Sequence, residues 1–318
     1  MPAISASAPG KIILFGEHAV VYGYPAIAAP VTQVKAKAII SANPLAVPGK
    51  IHIQAPNIGL DTDLDDLALD HPLVTAIQAV AQYLGVRRLP ACSIRITSSI
   101  PVAAGLGSGA AVSVALIRAL SSFLGKPLDN ENVSSLAFQV EKLYHGTPSG
   151  IDNTVITYEQ PVYFVRGHPI LNLKVCKPFT VVIGDTGISC PTAVTVGDLA
   201  QAWRSDPEPI EREFDQIARI TDAARQAIES GNPAELGPLM SANHQHLQTL
   251  GVSSPELDLL IAAAQKAGAS GAKLSGGGRG GNMIALVESS RAQSVADALQ
   301  NAGAVRTIIT EIKQQLRR

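Results

Sequence analysis

The sequence predicts a chain of two domains in the α+β or α/β range. Three observations carry this. Segments with a two-residue apolar period alternate with segments of helical period along the whole chain. After about residue 175 the mixture of strands and helices gives way to a run of helices closed by strands. The 318 residues, 46% of them hydrophobic, are enough for two cores of ordinary size.

Residues 11–15 (KIILF), 33–41 (QVKAKAIIS), 50–54 (KIHIQ) and 93–97 (SIRIT) read as strands from their apolar content and alternation. Residues 72–84 fit a helix that starts at Pro72 and ends before Gly85. Residues 109–124 place Val112, Leu116, Leu120 and Phe123 on one stripe of a well-buried helix. Another helix is expected over 132–144, with Asn132 as its N-cap. The expected boundary falls near 175–180, giving domains 1–177 and 178–318. Beyond it lie a strand at 180–184 and an amphipathic helix at 209–229 with Ile210, Phe214, Ile217, Thr221, Ala224 and Ile228 on one face. Helices at 234–249 and 255–267 follow. The chain then reads strand, glycine loop, strand (282–287), helix (291–301) and strand (304–313).

Composition excludes several classes. Twenty-five basic residues against 26 acidic leave a net charge of −1, with no footprint for nucleic acid or an anionic membrane. No apolar run is long enough to cross a bilayer. Cys92, Cys176 and Cys190 form no CxxC pair, which argues against a disulfide framework or a structural zinc. The start, MPAISASAPGKIILFGEH, lacks the features of a secretory signal, so a cytoplasmic location is expected.

Two glycine-rich segments stand out. Pro101 to Ala111 (PVAAGLGSGAA) lies between a strand and a helix, where glycines allow positive φ and the helix start offers free N–H groups to an anion. Ser108 adds a hydroxyl. Gly276 to Gly281 (GGGRGG) lies between apolar segments and could border the same cavity. Either could be only a tight turn, but a pair of them, one opening an Ala-rich helix, favours phosphate binding. Gly105, Gly107 and Ala110 also satisfy the dinucleotide pattern GxGxxG/A. Against a nicotinamide enzyme, Pro101 delays the glycines, and Asp129, 24 residues after Gly105, falls in a polar loop.

Ionisable groups sit in unusual settings. Lys11 starts an apolar strand, Glu17 and His18 follow it, Glu141 lies mid-helix among apolar residues, and Asp152 lies in a loop built from turn residues. Singly, each has an ordinary structural explanation. Together they supply a cation, an oxygen ligand for a metal and a carboxylate base, the parts phosphoryl transfer needs beside cradled phosphates.

These residues resemble the GHMP kinases, the kinases of galactose, homoserine, mevalonate and phosphomevalonate. The stretch from Pro9 to Gly23 (PGKIILFGEHAVVYG) is similar to the first motif of the members that phosphorylate mevalonate, where a galactose kinase would read GEH-T-D. Pro56-Asn57-Ile58-Gly59, Pro148 to Asn153 (PSGIDN), Asp185-Thr186-Gly187 and the stretch from Lys273 onward resemble further family segments. The matches run from about residue 8 to residue 287 in the family's order.

The resemblance implies an α+β fold of two domains, the first like ribosomal protein S5 domain 2 and the second ferredoxin-like, with the active site in the cleft between them. It implies transfer of the ATP γ-phosphoryl group to the 5-hydroxyl of (R)-mevalonate, with Mg²⁺. It assigns Asp152 and Lys11 to catalysis and Glu141 to the metal. It assigns Glu17, His18, Ser149 and Thr186 to mevalonate. Lys11, Asn57, Ser98, Ala103, Ala104, Gly105, Leu106, Gly107, Ser108 and Gly109 are assigned to the nucleotide. Members are often homodimers, though the sequence carries no interface signature of its own. Phosphorylated mevalonate, as the alternative substrate, would call for an added Lys or Arg cluster, and the motif segments show none beyond Lys11 and Arg279. There are two departures in the motifs. The family's GLGSSAA is GLGSGAA here, so Gly109 stands where a metal-binding serine is usual, and GAGGGG is GGGRGG, which brings in Arg279.

Overall fold

The computed structural model describes residues 3–101, 105–145 and 148–314. Contacts gather into two units, each built from separate stretches of chain. One holds the stretch up to Gly10, Val34–Pro101 and Gly107–Tyr158; the other holds Lys11–Gln33, the stretch ending at Leu106, and the chain from Glu159 onward. Strands β1 (Ile4–Phe15) and β2 (Ala26–Ala42) pair with each other and run through both.

The first unit adds β3 (Ile51–Ala55), β4 (Leu60–Asp63), α1 (Pro72–Tyr83), β5 (Cys92–Ser98), α2 (Ser108–Phe123), α3 (Asn130–His145) and α4 (Ile151–Tyr158). Its strands are ordered β4-β3-β5-β2, with only β3 and β5 parallel. Helix α2 buries Val114, Leu116, Ile117 and Leu120, so its Ala- and Val-rich sequence serves a helix enclosed on most sides. Helix α1 starts at Pro72, whose missing N–H costs nothing there, and His71 Nδ1 accepts the N–H of Leu73.

In the second unit the first residues of β2 pair with β6 (Val162–Phe164), which pairs with β7 (Leu171–Asn172). The rest comprises β8 (Phe179–Asp185), α5 (Thr192–Ser205), α6 (Pro207–Ser230), α7 (Leu236–Thr249), α8 (Pro255–Lys266), β9 (Gly271–Ser275), β10 (Asn282–Val287), α9 (Ala292–Asn301) and β11 (Arg306–Ile312). An antiparallel sheet, β11-β8-β10-β9, carries its core with Phe214, Leu247, Leu257, Leu274, Met283 and Leu299. Among the described residues no helix is long and apolar enough to cross a membrane, and the three cysteines are free thiols.

Three expectations need correction. Asp152 does not lie in a loop: it occupies the first turn of α4, whose Ile151, Val155 and Ile156 are buried. Pro148 and Gly150 suggested a turn, but they only precede the helix. The start of α3 is capped by Asp129, whose Oδ1 accepts the N–H of Asn132 at 2.8 Å, so Asn132 is inside the helix. Helix α5, unanticipated, buries only Thr195 and Leu199, too few apolar positions to set a period. The chain also passes from α2 to α3 without an intervening strand, which removes the dinucleotide reading at Asp129.

Candidate active site

Gly105 and Gly107 have φ of 78° and 72°, left-handed values that turn the chain into the first helical residue, Ser108. The N–H groups of the first turn of α2 then lack helical partners, apart from that of Ala111, which bonds Gly107 O at 2.9 Å. Gly109 is exposed in this turn, its φ is not left-handed, and a Cβ there would meet no atom within 4 Å. Ala103 and Ala104 lie outside the described residues. Leu106 is buried, and its carbonyl accepts the N–H of Lys11 at 3.0 Å, which docks the first glycine segment on β1. The Lys11 side chain is itself buried.

Elsewhere in the first unit, Asn57 Oδ1 accepts the Ser98 N–H at 2.8 Å, so the two residues expected at the nucleotide are joined. Glu141 is 8% exposed on α3. At the start of α4, Ser149 Oγ accepts the Ile151 N–H at 3.3 Å and keeps its own proton, while Asp152 is half-buried one residue on. A carboxylate there is favoured by the helix dipole.

In the second unit Glu17 is fully buried and ion-paired with Lys273, which also donates to Leu274 O at 2.6 Å. Burial pushes the Glu17 carboxyl up and the Lys273 ammonium down. Glu17 Oε2 is buried without a hydrogen-bond partner. Wherever the proton shared with Lys273 sits, Oε2 offers only lone pairs. His18, at φ 61°, places Nε2 3.0 Å from Gly277 O. Burial lowers its pKa to about 4, with Arg279 acting in the same direction, so the ring is neutral near pH 7. A carbonyl can only accept, so Nε2 holds the proton and Nδ1 is a bare lone pair, also buried and without a partner.

Thr186 follows β8, whose last residue Asp185 is in register with Asn282 at the start of β10. That register sets Thr186 against Gly281, whose carbonyl accepts both the Thr186 N–H and its hydroxyl, each at 2.9 Å. Thr186 Oγ1 in turn accepts the Ile188 N–H at 3.2 Å. Gly105 of the first glycine segment, Ser275 at the end of β9, and Gly277 and Gly280 of the second segment line one small hollow. Sequence reasoning missed Lys273 as a functional partner. Its signal was a lone lysine between Ala272 and Leu274 in an apolar strand, the same signal that marked Lys11.

Residues 71–160 match the family model described as GHMP kinases N terminal domain, and 224–305 the one described as GHMP kinases C terminal. The mevalonate kinase of Pyrococcus abyssi is 37% identical, covering 99% of this chain and 97% of the relative. That of Thermococcus sibiricus is 38% identical over 98% and 97%. The crystal structure of L. major mevalonate kinase in complex with R-mevalonate superposes with a TM-score of 0.85 at 31% identity, covering 98% of this chain and 97% of that one. The chain belongs to the GHMP kinase family, among the mevalonate kinases.

Proposed function

We propose that the chain transfers the γ-phosphoryl group of ATP to the 5-hydroxyl of (R)-mevalonate, releasing ADP and 5-phosphomevalonate. One observation carries the choice of an alcohol. Glu17 Oε2 and His18 Nδ1, on adjacent residues, are buried acceptors without partners, and their other ends are fixed by Lys273 and Gly277. A buried acceptor left unpaired is costly. O–H donors satisfy such atoms, and mevalonate has two hydroxyls; a carboxylate or phosphate oxygen would be repelled.

In this reading the Asp152 carboxylate takes the hydroxyl proton as the oxygen attacks phosphorus in line. Lys11 offsets the charge gathering on the transferring group. The N-terminus of α2, Ser108, Asn57 and Ser98 hold the nucleotide. Mg²⁺ fits the donor set: Glu141 would offer a buried hard oxygen, and the open space at Gly109 would leave room for the water that Mg²⁺ readily keeps. The ion supplies neutralisation of phosphate charge.

The test is ADP release by the purified protein with ATP and Mg²⁺ and, in turn, mevalonate, phosphomevalonate, homoserine and galactose. Release with mevalonate alone is expected. Faster release with any other member of the panel would overturn the assignment.

A further inference from the structure

Five of the six residues joining β9 to β10 are glycine, and the sixth is Arg279 at φ 55°. Glycine takes this left-handed backbone freely and arginine does not. An arginine kept in such a place points to a role that outweighs the strain.

The residue is tied on three sides. Its N–H donates to Val252 O at 2.9 Å, its Nε donates to Gly251 O at 3.2 Å, and its Nη1 pairs with the Asp198 carboxylate on α5. The pair is part-exposed, 37% and 52% for the two side chains, and such a pair alone contributes little. The three bonds together fix the middle of the loop to α5 and to the turn between α7 and α8. Two residues earlier, Gly277 presents the carbonyl that accepts the His18 Nε2 proton. Gly277 and Gly278 have no side chains of their own to hold them, and they lie close against Thr192 and the Val252 carbonyl.

We propose that Arg279 is a positioning residue for His18. By pinning the loop it keeps the Gly277 carbonyl on Nε2, so the imidazole holds one tautomer and Nδ1 stays a lone pair. The arginine itself touches no substrate. The consequence for mevalonate binding rests on the reading of His18 given above; the consequence for the tautomer does not.

The experiment records the ¹⁵N shifts of the His18 ring by long-range ¹H–¹⁵N correlation in the wild type, Arg279→Gly, Arg279→Lys and Asp198→Ala, with KM for mevalonate and ATP measured on the same samples. The wild type should show the Nε2–H pattern alone. In Arg279→Gly both nitrogens should move toward an averaged mixture, and KM for mevalonate should rise about tenfold while that for ATP stays within about twofold. Arg279→Lys keeps the charge but not the fork, and should fall in between. Asp198→Ala, which leaves the loop backbone untouched, should shift the ring in the same direction by less, and it carries the test if Arg279→Gly does not fold. A pure Nε2–H pattern in both Arg279→Gly and Asp198→Ala would overturn the proposal. A mixed pattern with an unmoved mevalonate KM would uphold it and remove His18 from substrate binding instead.

Discussion

The two glycine segments differ in glycine density, three in eleven residues against five in six, and in their surroundings. At Gly109, in the first, a Cβ would meet nothing within 4 Å; at Gly105 it would make ordinary contacts with Ser275 O at 3.6 Å and Gly276 Cα at 4.0 Å. In the second, a Cβ on Gly278 would stand 2.0 Å from Val252 O, and one on Gly280 2.5 Å from Ile188 O. The first segment uses glycine to leave space beside N–H groups that have no partner within the helix. The second uses glycine so that backbone can lie on backbone, and its carbonyls at 277 and 281 are spent on His18 and Thr186. Glycine content alone therefore does not tell an open turn from a packed one; the space at each glycine does.

The sharpest test of the contrast is a matched pair of substitutions. Gly278→Ala adds a methyl against a carbonyl at φ 75° and should cost about 3 kcal/mol or more of stability. Gly109→Ala, in a helical turn with free space, should leave stability unchanged or raise it by up to about 1 kcal/mol. Thermal melts of the two variants decide it, and equal losses would erase the distinction.

The packed segment should also show itself in pH dependence. Folded His18 has its pKa lowered to about 4, while in the unfolded chain it should titrate near its ordinary value. The unfolded chain thus binds the extra proton in the interval, so stability falls as pH drops from about 6.5 toward about 4, by up to about 3 kcal/mol. His18→Asn, which tolerates the left-handed backbone, should flatten this part of the profile in denaturant titrations. An identical slope in the variant would mean that His18 is not held neutral by burial.

On the open side, Asp152→Asn preserves size and removes the carboxylate proposed as proton acceptor. Turnover should fall at least about a hundredfold, with ATP affinity little changed. A near wild-type rate would take Asp152 out of the mechanism. The smallest effects concern the metal. Glu141→Ala should raise the Mg²⁺ concentration for half-maximal rate about tenfold, and Gly109→Ser should lower it about threefold. The serine is sterically admissible because the site is open and its φ is not left-handed. An unchanged requirement in both variants would move the metal elsewhere.

Much of this was legible in the sequence because the period of the apolar residues carries the elements. The strand at 11–15 and the long helix over 209–229 were plain for that reason, and the motifs supplied Lys11, Glu17 and His18. What the sequence could not carry is what the chain brings together at long range. Nothing local says that Lys273 neutralises Glu17, or that the Gly277 carbonyl chooses the tautomer of His18. The helix holding Asp152 was hidden because Pro148, Ser149 and Gly150 read as a turn, and a turn is also how this helix begins.

The interleaving of the two units has a consequence for synthesis. Glu17 and Lys273 are 256 residues apart, so on a ribosome adding about 5–20 residues per second the acid waits tens of seconds for its partner. During that time it is an ordinary solvated carboxylate and His18 an ordinary titrating imidazole. The two buried acceptors come into being only when Lys273 and Gly277 arrive. A nascent chain can begin to form the first unit early, while the surroundings of Glu17 and His18 are among the last things translation completes.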